Sequence, residues 1–112
     1  MQGKHKYGAV KTSGYDSKKE YKRAWELKLL QTGGYISDLN EQVRFELLPA
    51  QYVPDYKGKL ICGRRAMVYI ADFVYSQKGD VVVEDVKGYR TKEYKRKARL
   101  MLKIHGIKIK ET

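Results

Sequence analysis

A single domain of the α/β (α+β) class follows from three observations on this 112-residue chain. Residues 17–32 and 91–105 carry helical periodicity behind capping residues; residues 42–48, 66–75 and 81–87 alternate or run apolar as strands do; residues 107–110 alternate once more at the end. The predicted order is helix, three strands, helix, strand. A chain of this length supports one core and not comfortably two. The domain is placed at residues 16–112, preceded over residues 1–15 by a lysine-bearing, glycine-containing segment without a sustained period, read as a flexible basic arm.

Taken in order, Ser17 is the N-cap of the first helix, with Glu20 three residues on in a capping-box pattern. Gly33-Gly34 stops that helix. Glu20, Ala24, Leu27 and Gln31 share its inward stripe, while Lys18, Lys19, Lys22, Arg23 and Lys28 spread over the rest of its surface. A turn is expected over residues 35–40, before Val43, Phe45 and Leu47 alternate with Gln42, Arg44 and Glu46 as a half-buried strand. Pro49, Pro54 and the cluster Asp55-Tyr56-Lys57-Gly58-Lys59 then make a long connection or hairpin turn, with residues 60–63 as a short continuation.

The next two strands form a β-hairpin around a polar turn at residues 76–80. Past Gly88, Thr91 caps the second helix, which turns Tyr94, Ala98, Met101 and Leu102 inward and Lys92, Lys95, Arg96, Lys97, Arg99 and Lys103 outward. Gly106 ends it, and residues 107–110 form an edge strand with its lysines on the open face.

Composition narrows the function classes. Cys62 is the single cysteine, so no internal disulfide forms, and two histidines beside it do not make a structural zinc site. No apolar run is long enough to span a bilayer and the N-terminus lacks a signal-peptide core, so a soluble cytoplasmic protein is expected. A net charge of +11, from 24 Lys+Arg against 13 Asp+Glu, points to a polyanionic partner, nucleic acid before an anionic membrane.

The chemistry is concentrated in the hairpin, where Asp72 and Asp85 each interrupt an apolar run. With Ser76 opposite Val81, Asp72 falls opposite Asp85, at a Cβ separation of roughly 5 Å. Lys87 shares the face of Asp85, because side chains alternate along a strand. Two adjacent carboxylates repel without a cation and are hard oxygen ligands, suited to Mg²⁺ or Mn²⁺. An acid followed at the second position by lysine occurs six times in the chain, but only Asp85-Val86-Lys87 ends an apolar strand opposite another acid. Glu20 either joins this pair from the first helix or serves only its capping box. Glu84 follows the other face of its strand and reads as structural, Gln42 can reach the site from the neighbouring strand, and His5 and His105 read as surface residues.

Ser17-Lys18-Lys19-Glu20 on the first helix, Asp72 in the second strand and Asp85-Val86-Lys87 in the third, in this element order, resemble the PD-(D/E)XK nuclease superfamily. The stretches Tyr15-Asp16-Ser17-Lys18-Lys19-Glu20, Glu26-Leu27-Lys28-Leu29-Leu30, Ile36-Ser37-Asp38-Leu39, Tyr69-Ile70-Ala71-Asp72-Phe73 and Val83-Glu84-Asp85-Val86-Lys87-Gly88 resemble, more closely, a phage and prophage domain of unassigned function within it. One departure is Ala71, where proline precedes the acid in the superfamily's pattern.

The resemblance implies a restriction-endonuclease-like αβββαβ core, a mixed sheet flanked by helices. It implies Glu20, Asp72, Asp85 and Lys87 as the active site, with the backbone carbonyl of Val86 as a further Mg²⁺ or Mn²⁺ ligand. By analogy the activity is that of a metal-dependent endonuclease on branched DNA, similar to Holliday-junction resolvases, homodimeric and acting in a bacterial host. The expected DNA contacts are Lys18, Lys19, Lys22, Arg90, Lys92, Lys95, Arg96 and Arg99, with no membrane partner and no organic cofactor. The alternatives are a nicking or site-specific endonuclease, and a non-catalytic DNA-binding or host-inhibiting module on the same fold.

Overall fold

Ser17 opens the first helix as its sequence predicts: its Oγ accepts the Glu20 N–H at 3.1 Å, and helix α1 runs over Lys18–Thr32. The computed structural model describes residues 17–87 and 89–112, so the arm expected over residues 1–15 lies outside the described residues. Gly34, at φ 83°, takes the left-handed conformation that ends α1, and the Tyr35 N–H returns to the Leu30 carbonyl at 2.9 Å. Glu20, Ala24 and Leu27 are its buried residues.

Strand β1 spans Ser37–Leu48 and begins earlier than the alternation suggests. The expected turn over residues 35–40 is shorter, because Ser37 and Asn40 already pair with Ser76 and Val74 of the central strand, across an irregularity between them. The proline-punctuated stretch is not a plain connection. It forms β2, Gln51–Pro54, and β3, Leu60–Arg64, an antiparallel two-stranded sheet separate from the main one. Asp55 Oδ1 closes its tip by accepting the N–H groups of Lys57 and Lys59 at 2.8 and 2.9 Å. All residues of both strands are exposed.

Strands β4, Met67–Gln77, and β5, Asp80–Asp85, form the central hairpin. Ser76 stands opposite Val81 as expected. The strands run further than the sequence suggests, however, and a two-residue turn at Lys78-Gly79, with φ 52° and 85°, replaces the longer loop. The register is the same in both descriptions, so the relation of Asp72 to Asp85 is unaffected.

Helix α2 covers Lys92–Leu100, capped by Thr91, whose Oγ1 accepts the Tyr94 N–H at 3.0 Å. It continues as a π-helical turn over Met101–His105 and ends at Gly106, φ 68°. The wider turn changes the phase of the inward stripe: Met101 is buried, but Leu102, expected inward, is 54% exposed. His105 is exposed as expected, and its Nε2 lies 2.8 Å from the Glu46 carbonyl.

The final strand β6, Lys110–Glu111, is shorter and later than the alternation implies. It pairs in parallel with β5, Glu84 with Lys110 and Asp85 with Glu111. The sheet order is β1-β4-β5-β6, mixed because only the last pair is parallel.

Two apolar clusters flank the sheet. One joins Tyr69, Ala71 and Val83 to Tyr94 and Met101 on the α2 side; the other joins Phe73 and Tyr75 to Ala24 and Leu27 of α1. Simple alternation would put Tyr69, Ala71, Phe73 and Tyr75 on one face. The strand therefore changes the face it presents at Asp72. In β1, Gln42 lies opposite Asp72, between the pairs Glu41–Phe73 and Val43–Ala71, and its φ of 54° is the local irregularity accompanying the exchange. Asp72 thus stands where the two cores meet.

Candidate active site

The end of β5 carries the site. Asp85 is 1% exposed, and its Oδ2 accepts the hydroxyl of Tyr69. Its Oδ1 is buried without a hydrogen-bond partner, although the Lys87 ammonium stands 3.1 Å away as an ion pair. That ammonium supplies the compensating charge a buried carboxylate needs, and it is the group an added cation would displace from Oδ1. Lys87 Nζ also lies 4.4 Å from the centroid of the Tyr94 ring, so its position is fixed by an aromatic face as well as by Asp85.

Asp72 comes from the adjacent strand. Its Oδ2 accepts the Val86 N–H at 2.9 Å, which ties the two strands together beyond the last paired residues, Phe73 and Glu84. Burial pushes the Asp72 carboxyl from 3.8 up to about 7; the Val86 hydrogen bond opposes this, and the charges of Asp85 and Glu20 raise it further. The structure therefore brings Asp72, Asp85 and Lys87 together and sets Glu20 within electrostatic reach. Glu20 is 7% exposed, and its Oε2 accepts from Gln42 Nε2 at 3.3 Å. Its backbone serves the cap while its carboxylate engages the strand that faces Asp72.

For a divalent cation the donors are all oxygen, and Asp85 Oδ1, ion-paired with Lys87, together with Asp72 fits Mg²⁺ or Mn²⁺ better than a softer ion. Among the described residues no three Asp, Glu, His or Cys side chains stand together ready to hold an ion. The fit rests on the Asp72–Asp85 pair.

Glu84, beside Asp85 in sequence, does different work. It is fully buried, held by Arg23 Nε at 2.5 Å and Nη2 at 3.1 Å, by Tyr75 Oη at 2.7 Å and by Thr112 Oγ1 at 3.0 Å. Burial pushes this carboxyl up, but Arg23, Tyr75 and Thr112 outweigh it and hold it below its ordinary 4.5. Burial and the Glu84 hydrogen bond push the Tyr75 hydroxyl up to about 12. Arg23, expected on the outer surface of α1, instead ties α1 to β5.

Removing Arg23 alone, as Arg23→Met, is expected to cost about 3–5 kcal/mol, since it leaves a buried carboxylate uncompensated. Adding Glu84→Gln should recover most of that loss in urea unfolding. Glu84's contribution is complete above pH 4.5 and is lost as pH falls through its lowered folded value. The difference between Arg23→Met and the native chain should therefore shrink in acid.

A cleft of about 290 Å³ opens over the acid pair, lined by Asp72, Asp85, Lys87, Val68, Glu93 and Lys97 among others. Of the expected DNA contacts, Lys18, Lys19, Lys22, Arg90, Lys92, Lys95, Arg96 and Arg99 are all exposed. Two are also tied internally: Lys19 Nζ donates to the Lys87 carbonyl at 3.1 Å, and Arg90 pairs with Glu111 at 2.9 Å. Tyr94 Oη donates to the same Glu111 carboxylate at 2.8 Å. Tyr69 was not legible as a site residue, because the face exchange at Asp72 hides its relation to Asp85 from a period-two pattern.

Among the described residues no helix is long and apolar enough to cross a membrane. No curated protein and no solved structure matches the chain. A family model does match, over residues 4–111. The chain therefore belongs to the family described as "Protein of unknown function (DUF1064)".

Proposed function

We propose that this protein is a metal-dependent endodeoxyribonuclease on a restriction-endonuclease-like core, cutting branched DNA in the manner of a junction resolvase. The observation that carries the reading is the Asp72–Asp85 pair, with Asp85 Oδ1 buried without a hydrogen bond and ion-paired with Lys87 at 3.1 Å, beside an open cleft. Asp72 and Asp85 would hold Mg²⁺ or Mn²⁺, joined by the Val86 carbonyl and by Glu20 once it is released from Gln42. Such an ion supplies positive charge to a phosphodiester and acidity to water.

The chain's own residues do the rest. Lys87, steadied by the Tyr94 ring, presents its ammonium to the attacking water and to the charge that builds on the phosphoryl oxygens. Tyr69 holds Asp85 in one orientation through Oδ2, leaving Oδ1 to the Lys87 ammonium. The new bond joins the water oxygen to phosphorus and the broken one is a bridging P–O bond, leaving a phosphate monoester and a hydroxyl. The exposed lysines and arginines of α1 and α2 hold the backbone by charge. A homodimer acting in a bacterial host, on phage or prophage DNA, completes the proposal. The exposed apolar side chains of the β2–β3 arm, Tyr52, Val53, Leu60 and Ile61, suit contact with a second copy.

Purified protein incubated with four-way junction, flap, nicked duplex and linear duplex tests the reading. With Mg²⁺ the junction should be cut fastest, and EDTA should stop the reaction. Failure to cut any of the four would rule the reading out.

A further inference from the structure

We infer that the cleft adjoining the acid pair, bordered by Arg64, Arg65 and Arg96, is a subsite for a backbone phosphate of the DNA strand being cut. This deepens the nuclease reading and rests on it. The cleft has a volume of about 400 Å³ and also takes in Val68, Glu93 and Lys97. Those last three residues line the acid-pair cleft as well, so the two clefts adjoin across them.

The charges around it do not balance. Lys97 and Glu93 pair with each other at 3.6 Å, while Arg64, Arg65 and Arg96 are exposed and in none of the ion pairs formed among the described residues. Three like charges at one cleft repel unless an anion joins them. The guanidinium fork matches a phosphate's oxygens in a way a lysine ammonium does not.

Their placement gives the arm a purpose. Arg64 is the last residue of β3 and Arg65 follows it, so the β2–β3 sheet delivers both to the flank of α2, where Arg96 projects. A strand whose reacting phosphate lay at Asp72 and Asp85 would continue into this cleft. Phosphates recur every ~3.4 Å of helix axis along a strand, so the adjoining space receives a phosphate close in sequence to the reacting one. Of these three arginines the sequence pattern suggested only Arg96, because Arg64 and Arg65 lie in what reads as a connection.

The test is DNA binding by the full chain in EDTA, with labelled junction and duplex across a salt series, comparing the native protein with Arg65→Ala/Arg96→Ala. Affinity should fall by about tenfold or more, and the salt dependence should weaken by about two released counterions. Arg65→Lys/Arg96→Lys should restore the salt dependence but not the full affinity. The residues are exposed, so thermal midpoints should match. Unchanged affinity and salt dependence in the alanine variant would overturn the subsite, even if the native protein cuts DNA. The expected loss of binding in a protein that cuts nothing with Mg²⁺ would instead overturn the nuclease reading and leave an arginine site for DNA phosphate standing.

Discussion

Asp85→Asn is expected to lower Mg²⁺-dependent cleavage of junction DNA by about 10³-fold or more, equivalent to roughly 4 kcal/mol of barrier, while binding in EDTA persists. The substitution is nearly isosteric. The asparagine oxygen can still accept from Tyr69, so the packing under the cleft survives. What disappears is the charge, and with it both the hard-ligand character of the pair and the anchor of Lys87, now 3.1 Å from Oδ1. Gel-resolved single-turnover cleavage, beside a thermal unfolding curve, separates lost chemistry from lost fold. A variant that folds and cuts at the native rate would show that Asp85 has no part in the reaction.

Asp72→Asn should lower activity in the same way and raise stability. The fold holds this carboxyl at about 7, against an ordinary 3.8, so its charged form is disfavoured relative to the unfolded chain. The cost is absent below pH 3.8, grows as pH rises towards 7 and is constant above that. The group is partly exposed and solvent screens it, so about 1–2 kcal/mol is expected at pH 8. Asparagine removes that cost while its side-chain oxygen still accepts from the Val86 N–H. In EDTA at pH 8 the variant should melt about 5–10 °C above the native protein, and the two curves should converge towards pH 4. A lower midpoint at pH 8 would mean that Asp72 serves the fold rather than strains it. Sites that bind cations commonly sacrifice stability in this manner.

Legibility in the sequence varied with how local the cause was. The pairing of Ser76 with Val81 was readable because glycine-containing polar turns announce hairpins, and it placed Asp72 against Asp85 even though the turn proved shorter. Caps were readable too: Ser17 and Thr91 accept the N–H groups expected of them. Long-range choices were not. Nothing in the period of α1 separates Arg23, drawn inward by Glu84 61 residues away, from Lys22 beside it, which faces solvent. The β2–β3 arm was legible only as one of two alternatives, a hairpin turn rather than a long connection, because its side chains are exposed on both faces and no alternation marks its strands. Leu102 was misplaced because a π-helical turn shifts the phase by a residue without a sequence signature. The exchange of faces at Asp72 depends on the backbone of Gln42 in another strand, and it is also what brings Tyr69 to Asp85.

Glu20 illustrates how one residue's backbone and side chain can serve different contacts. Its N–H completes the cap at Ser17 and its carboxylate meets Gln42, close enough to raise Asp72. The local signal named the cap, and only the packing of α1 against the sheet brings the side chain to Gln42, within electrostatic reach of Asp72.

Asp72 and Asp85 together are proposed to hold a divalent cation. Mn²⁺ binding followed by electron paramagnetic resonance tests this without any assumption about the DNA substrate. The native chain should take up Mn²⁺, and Asp72→Asn and Asp85→Asn should each abolish the uptake while remaining folded. Uptake that is absent from the native chain, or that survives both substitutions, would contradict the account.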